Sequence, residues 1–293
     1  MVVFLNGKFL PEADAVVPVS DRGFLLGDGL FETTRVAGGQ PFRLAQHLDR
    51  LARGAIFCKI HLPFTLKEIQ KFAAELIAKN GLNEAVLRVT LTRGSGPRGY
   101  SPGPTAPGGA RLPASPPAAT QPTLVLTLHP LPPQSGEEPW QWSLITSSFR
   151  IPASEALAAF KSTSKILNVL ARSEAEAKGA DEALLLNANG EVAETASGNL
   201  FWVYQDVICT APSGRGVLPG ITRAVVLEIC QALGLETNKR VIRPQMLRNA
   251  TGIFVTQSAL GIVPVAAFDG APVAPSPLVD QIASAYNELL GHE

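Results

Sequence analysis

The polar residues that invite chemistry sit at the ends of elements rather than along their faces. Asp21-Arg22-Gly23-Phe24-Leu25-Leu26-Gly27-Asp28-Gly29-Leu30-Phe31-Glu32 is glycine-rich, leads into Thr33-Thr34-Arg35-Val36, and precedes Phe42-Arg43 and His47-Leu48-Asp49-Arg50-Leu51. Gly220-Ile221-Thr222-Arg223 follows Pro219 at the start of an expected helix. Backbone N–H groups and a Thr hydroxyl at a helix N-terminus form an anion site, although a plain N-cap role for Thr222 explains the same residues without a ligand. Gly94-Ser95-Gly96-Pro97-Arg98-Gly99 fits the GxGxxG pattern, but a dinucleotide site needs a helix to begin there, and Pro97, Pro102 and Pro104 forbid one. No GxSxG elbow and no GxxxxGK[ST] loop occurs. Cys58, Cys209 and Cys230 are widely spaced with no CxxC, and the four His have no paired ligand spacing. The cysteines therefore read as small buried apolar residues, and no zinc site is expected.

Composition narrows the partners. The 293 residues carry 25 Lys+Arg against 25 Asp+Glu and only 17% charged residues, which argues against a surface built to grip a phosphate backbone. No apolar run approaches the ~20 residues needed to cross a bilayer, and Met1–Lys8 lacks the basic lead of a signal peptide, so a cytoplasmic location is expected. Proline and glycine together supply 24 and 26 residues, and seven Pro and five Gly fall within Gly96–Gln121, a stretch that reads as a loop.

The elements that must position these residues follow from local pattern. Asn6-Gly7 between Val2–Phe4 and Phe9-Leu10 predicts a hairpin. Leu44, Leu48, Leu51, Ala55 and Ile56 predict one stripe of a helix over Leu44–Phe57, and Thr65 with Glu68 forms a capping box for a helix ending at Gly81. Strands are expected at Ala85–Thr92 and Thr123–Leu131. Beyond a linker at 132–137 the pattern restarts with a strand from Trp140, a helix over Ser162–Lys178, strands at Ala183–Leu186, Glu191–Glu194 and Leu200–Tyr204, a helix from Thr222 to Leu233, and a strand at Gly252–Thr256. The expected division is an α/β domain over 1–131 and a second, larger domain over 138–293, without internal repeats.

Six ordered segments resemble the class IV aminotransferase family of fold-type IV pyridoxal phosphate enzymes, which includes D-amino acid and branched-chain aminotransferases, (R)-amine transaminases and aminodeoxychorismate lyase. They are DRGFLLGDGLFE, HLDRL, FKSTSKILNVLARSEA, GADEALLLNANGEVAETASGNLF, LPGITR and TQSALGIVPV, which lie between Asp21 and Val265 in a match that runs from about Asn6 to Val265. The resemblance implies an α/β fold with a small N-terminal domain and a C-terminal pseudo-barrel, pyridoxal 5′-phosphate as cofactor, and a homodimer. It makes Lys161 the Schiff-base lysine, with Lys165 as its rival among nine lysines. An amine in that role must be neutral to attack an aldehyde. Glu194 aligns with the partner of the pyridine nitrogen and Asn199 with its support. Arg50, Ile221, Thr222 and Ser258 align with the phosphate site, and Leu218 with the residue on the ring face.

On the substrate side the resemblance points to Phe31 and Glu32, and to Arg98 and Tyr100 in a loop that family members extend toward a neighbouring subunit. D-amino acid aminotransferases carry Arg-x-His at that loop; Tyr100 stands in the His position, and Arg93–Ser101 is closer to the lyases. Ile166 replaces a Tyr usual in branched-chain members. Gly103–Gln121 is longer than the corresponding family stretch and is either a flap at the pocket or an inert insertion. The expected activity is transamination from a D-amino acid or (R)-amine to a 2-oxo acid. The alternatives are release of pyruvate and 4-aminobenzoate from aminodeoxychorismate, and a non-catalytic cofactor-binding protein, which an intact lysine and carboxylate disfavour.

Overall fold

Asn6 and Gly7 take up φ angles of 47° and 93°, so the chain reverses tightly between β1 (Val2–Leu5) and β2 (Lys8–Pro11). This is the opening of a computed structural model that describes residues 1–96, 99–102, 121–131 and 141–292. Its contacts separate two units, Met1–Pro130 with Phe160–Ser164, and Leu131–Ala159 with Lys165–Glu293. Phe160–Ser164, assigned from sequence to the second domain, thus counts with the first unit. The linker placed at 132–137 and most of the Gly96–Gln121 loop lie outside the described residues.

In the first unit the hairpin is followed by α1 (Arg22–Leu26), β3 (Gly29–Ala37), β4 (Gln40–Pro41), α2 (Leu44–Cys58), α3 (Leu66–Asn80), β5 (Ala85–Thr92) and β6 (Thr123–Pro130). The strands form one antiparallel sheet in the order β2-β1-β6-β5-β3-β4. Alternation along β5 buries Ala85, Leu87, Val89 and Leu91, which share a core with Leu48 and Leu51 of α2 and Ile69 and Leu76 of α3. Each of these fully buried leucines contributes about 1.5–3 kcal/mol. The Thr65–Glu68 box caps α3 as its sequence predicts, and Gly81 ends it at φ 63°. Ile56, expected on the buried stripe of α2, is 78% exposed, because it lies a full helical step of about 100° round from buried Ala55.

The second unit contains β7 (Trp142–Ile151), α4 (Ile166–Ala177), β8 (Glu182–Asn187), β9 (Val192–Thr195), β10 (Asn199–Tyr204), β11 (Val207–Thr210), α5 (Ile221–Ala232), β12 (Thr237–Lys239), β13 (Gly252–Gln257), β14 (Gly261–Phe268), β15 (Ala271–Pro272) and α6 (Pro277–His292). The sheet order is β12-β11-β10-β13-β14-β7-β8-β9, with β15 on β14, and β9 also pairs with β10. That last pairing closes the six strands from β10 to β9 into a barrel-like ring. Leu184, Leu200, Trp202, Val255 and Val263 fill its core. The parallel neighbours β7 and β8 are joined by the α4 crossover, as parallel pairing requires.

The helix expected over Ser162–Lys178 begins only at Ile166. The residues before it are extended: Phe31 N–H donates to the Lys161 carbonyl at 2.8 Å, Thr163 N–H donates to Gly29 O at 2.9 Å, and Ser162 bridges Leu30. Backbone committed to a neighbouring strand cannot also close helical i to i+4 bonds. Among the described residues no helix is long and apolar enough to cross a membrane.

Candidate active site

Lys161 owes its position to that extended pairing with β3. Its Nζ lies 4.7 Å from the centroid of the Phe31 ring, and the Arg88 guanidinium carbon lies 3.8 Å from the same centroid. Thr33, two residues along β3 from Phe31, is paired with Arg88, and Phe31 is paired with Thr90, so Phe31 and Arg88 share one face of the sheet. Burial lowers the Arg88 pKa from its ordinary value. A partly desolvated guanidinium stacked on an aromatic ring, beside an amine, makes a local attraction for carboxylates. No motif in the sequence marks Arg88, because its role depends on the register of β5 against β3.

Glu32, the next residue after Phe31, points the other way. Strand alternation carries it to the face covered by α2, where it is 1% exposed. Its carboxylate accepts Arg50 Nε at 2.8 Å and Nη2 at 2.6 Å, and pairs with His47 Nδ1 at 2.8 Å. Burial pushes the Glu32 carboxyl up, but the bonds from Arg50 and His47 outweigh it and hold the group below its ordinary range. Burial, together with the Arg50 and Lys161 charges, holds His47 below its ordinary value against the pull of Glu32. With Glu32 ionised, His47 must carry its proton on Nδ1 to donate. Phe31 and Glu32, both expected on the substrate side, lie on opposite faces of β3: Phe31 shares a face with Arg88, while Glu32 accepts the Arg50 fork.

In the second unit, β9 and β10 pair Glu194 with Asn199. Glu194 Oε2 accepts the Leu218 N–H at 2.9 Å and Asn199 Nδ2 at 3.3 Å, and the same Nδ2 donates to the Leu218 carbonyl at 2.9 Å. The bonds Leu218 makes here are those of its backbone, whereas the sequence singled out its side chain. Two residues on, Gly220 is the N-cap of α5, with no side chain capping the helix. Thr222 is a residue within the first turn, not the cap. A Cβ on Gly220 would come 2.1 Å from Asn199 Oδ1, so this approach requires glycine. Asn199 is opposite Thr256 in the β10–β13 pair, which brings Ser258, just past β13, to the same end of the sheet. Burial lowers the Lys165 pKa and the Glu194 charge raises it, the first effect winning.

Arg98 lies outside the described residues. The Tyr100 side chain is 90% exposed, and its carbonyl accepts Arg22 Nη2 at 3.3 Å. Cys58 is half-buried and Cys209 and Cys230 are buried, all three without a disulfide. Among the described residues no three His, Cys, Asp or Glu side chains gather as a metal site.

The second-unit residues fit a phosphorylated pyridine. The α5 start presents backbone N–H groups uncapped by any side chain, suited to a phosphate, and Glu194 is fixed by two donors in the manner of a carboxylate that must serve a ring nitrogen. The family profile described as amino-transferase class IV matches residues 29–268. A Methanocaldococcus jannaschii protein bearing the name "Putative branched-chain-amino-acid aminotransferase" is 35% identical over 270 residues, covering 92% of this chain and 88% of its own length. The D-alanine aminotransferase of Bacillus licheniformis is 29% identical over 288 residues, covering 97% and 95%. The T.th. branched-chain amino acid aminotransferase, in its crystal structure with pyridoxamine 5′-phosphate, superposes with a TM-score of 0.88 at 28% identity, covering 99% of this chain and 94% of that one. The chain belongs to the class IV aminotransferases. It is an enzyme of pyridoxal 5′-phosphate.

Proposed function

We propose that the protein moves an amino group from a donor amino acid or amine, a D-amino acid or (R)-amine in first place, to a 2-oxo acid. The observation that carries this reading is the pair of nitrogen groups over the Phe31 ring: Lys161 offers the reactive amine, and Arg88 offers a fixed, half-desolvated partner for a substrate carboxylate. When bound, pyridoxal 5′-phosphate supplies the aldehyde that takes up the amino group and the ring that absorbs the electron pair left on the substrate carbon. Lys161 Nζ holds the cofactor and moves the proton of the reacting carbon. Glu194, fixed by Leu218 and Asn199, would keep the ring nitrogen protonated, and the Leu218 side chain would pack against the ring. The N–H groups of Ile221 and Thr222, the Thr222 hydroxyl, Ser258 and Arg50 take the phosphate, Arg50 being held in one orientation by Glu32.

Arg98 and Tyr100 recognise substrate from a second copy of the chain. Support for a homodimer comes from large apolar side chains turned outward: Phe24, Leu25 and Leu26 on α1, Ile56 and Phe57 on α2, and, on one stripe of α4, Ile166, Val169 and Leu170. A second donor class, L-branched-chain amino acids, is favoured by the 35%-identical relative.

The test is to mix the holoenzyme with D-alanine, an (R)-amine or L-leucine and follow bleaching of the cofactor's visible band, with aminodeoxychorismate in parallel. Bleaching by D-alanine or the (R)-amine supports the first reading, and bleaching by L-leucine alone the second. Pyruvate and 4-aminobenzoate from aminodeoxychorismate, with no amino transfer from the others, overturns both. Borohydride reduction and peptide mapping are expected to place the cofactor on Lys161; finding it on Lys165 rejects the lysine assignment.

A further inference from the structure

Arg22 is 3% exposed although it lies at the first position of a one-turn helix near the surface. Burying a guanidinium is costly unless its donors are used, and here they are used across the fold. Nε donates to Asp28 Oδ2 at 2.8 Å, Nη1 to the Gly99 carbonyl at 2.9 Å and Nη2 to the Tyr100 carbonyl at 3.3 Å. Asp28 is gripped from its other side by Arg93, whose Nε and Nη2 meet its two oxygens at 2.8 and 3.0 Å. Arg93 then reaches the end of α2, where Nη1 donates to Lys59 O at 2.7 Å and Nη2 to Cys58 O at 2.8 Å. These carbonyls belong to the last turn, which a helix leaves without internal donors.

The result is a continuous polar chain from α2, the helix that carries His47 and Arg50, through Arg93, Asp28 and Arg22 to the backbone of Gly99 and Tyr100. Upstream, the chain is pinned independently: Arg22 N–H donates to Gly94 O at 2.9 Å, and Asp21 bridges Ser95. Downstream, the Arg22 side chain holds the carbonyls of Gly99 and Tyr100. Burial pushes the Asp28 carboxyl up, but Arg93 and Arg22 outweigh it and hold the group below its ordinary range, so the central anion persists at neutral pH.

We propose that Arg22 is a positioning residue that locks the Gly99–Tyr100 backbone to Asp28 and α2, and so sets how tightly a carboxylate substrate is bound. The second half of this inference rests on the reading of Arg98 and Tyr100 as substrate residues; the first half does not. The discriminating experiment is chymotryptic cleavage of the holoenzyme at Tyr100–Ser101, well below its unfolding temperature, in parallel with KM and kcat for a 2-oxo acid. Arg22→Gln removes the charge and the fork. Arg22→Lys keeps a cation for Asp28 but cannot span both carbonyls, and it serves if the first variant does not fold.

Each variant is expected to be cut roughly tenfold faster, the loss of about one charge-assisted hydrogen bond, with the unfolding midpoint recorded as the control for global damage. KM should rise several-fold with kcat little changed, a split that loss of general stability does not produce. Faster cleavage with an unchanged KM confirms the lock and removes Tyr100 and its neighbours from substrate recognition. Cleavage at the wild-type rate in a folded variant, whatever KM does, overturns the proposal.

Discussion

Replacing Glu32 by Gln preserves the side chain's volume and one acceptor oxygen, but removes the charge on which Arg50 and His47 converge at 2.6–2.8 Å. Glu32 is 1% exposed and Arg50 4%, so solvent screens little of the interaction. Breaking a buried pair by removing one partner costs about 3–5 kcal/mol, because the surviving charge stays desolvated. The amide oxygen returns about 1 kcal/mol through one retained hydrogen bond, leaving a net loss of about 2–4 kcal/mol. At about 2–4 °C per kcal/mol for a domain of this size, the transition of the first unit falls by about 4–16 °C. Scanning calorimetry of cofactor-free protein is the direct measurement, since bound ligand would add its own stabilisation.

The pH dependence gives a second, sharper test of the same pair. Glu32 is held below its ordinary 4.5, so the unfolded chain takes up the proton first. The stabilisation is therefore complete above 4.5 and is lost as pH falls through the lowered folded value. Glutamine has no such titration, and the gap between wild type and variant should close in acid. A gap of the same size at about pH 7 and at the lowest pH where both fold, or a midpoint at pH 7 equal to that of the wild type, refutes the reasoning.

Three further outcomes are expected. Glu194→Gln keeps an acceptor for the Leu218 N–H but loses the charge for the ring nitrogen, and should lower kcat on the order of 10²-fold or more with the cofactor still bound, read by steady-state kinetics and by the visible spectrum. Gly220→Ala drives a Cβ to within 2.1 Å of Asn199 Oδ1, so Asn199 or the start of α5 must shift; cofactor affinity measured by equilibrium dialysis should drop several-fold while the far-UV spectrum is kept. Arg88→Ala should lower kcat/KM for 2-oxo acids by roughly 10–100-fold, the value of one charged hydrogen bond, and spare amines that lack a carboxylate; equal losses for both would remove Arg88 from carboxylate recognition.

Where local chemistry decides structure, the sequence was a good guide. The Asn6-Gly7 reversal, the Thr65–Glu68 box and the Gly81 stop each depend on residues within a turn of one another, and each appears where those residues stand. The α2 stripe held at Leu44, Leu48, Leu51 and Ala55 and failed only at Ile56, where a helical step leaves the buried sector. The family, with its cofactor, was legible because six motifs keep their order along the chain.

What the sequence could not supply are relations between distant segments. Ser162-Thr163-Ser164 is the kind of run that opens a helix, yet the chain from Lys161 to Thr163 is extended because its backbone groups are taken by β3, 130 or more residues earlier. Phe31 and Glu32 are neighbours in sequence and part company in space because a strand alternates its faces, and only the β3–β5 register decides that Arg88 joins Phe31. The chain from Arg22 through Asp28 and Arg93 to the end of α2 likewise links four loop and helix-end segments that no periodicity connects. Local propensity is set by bonds a few residues long, so it determined which elements exist and which family they belong to. Register and long-range hydrogen bonds, which cost chain entropy to close and are repaid only in the assembled core, decided which side chains meet.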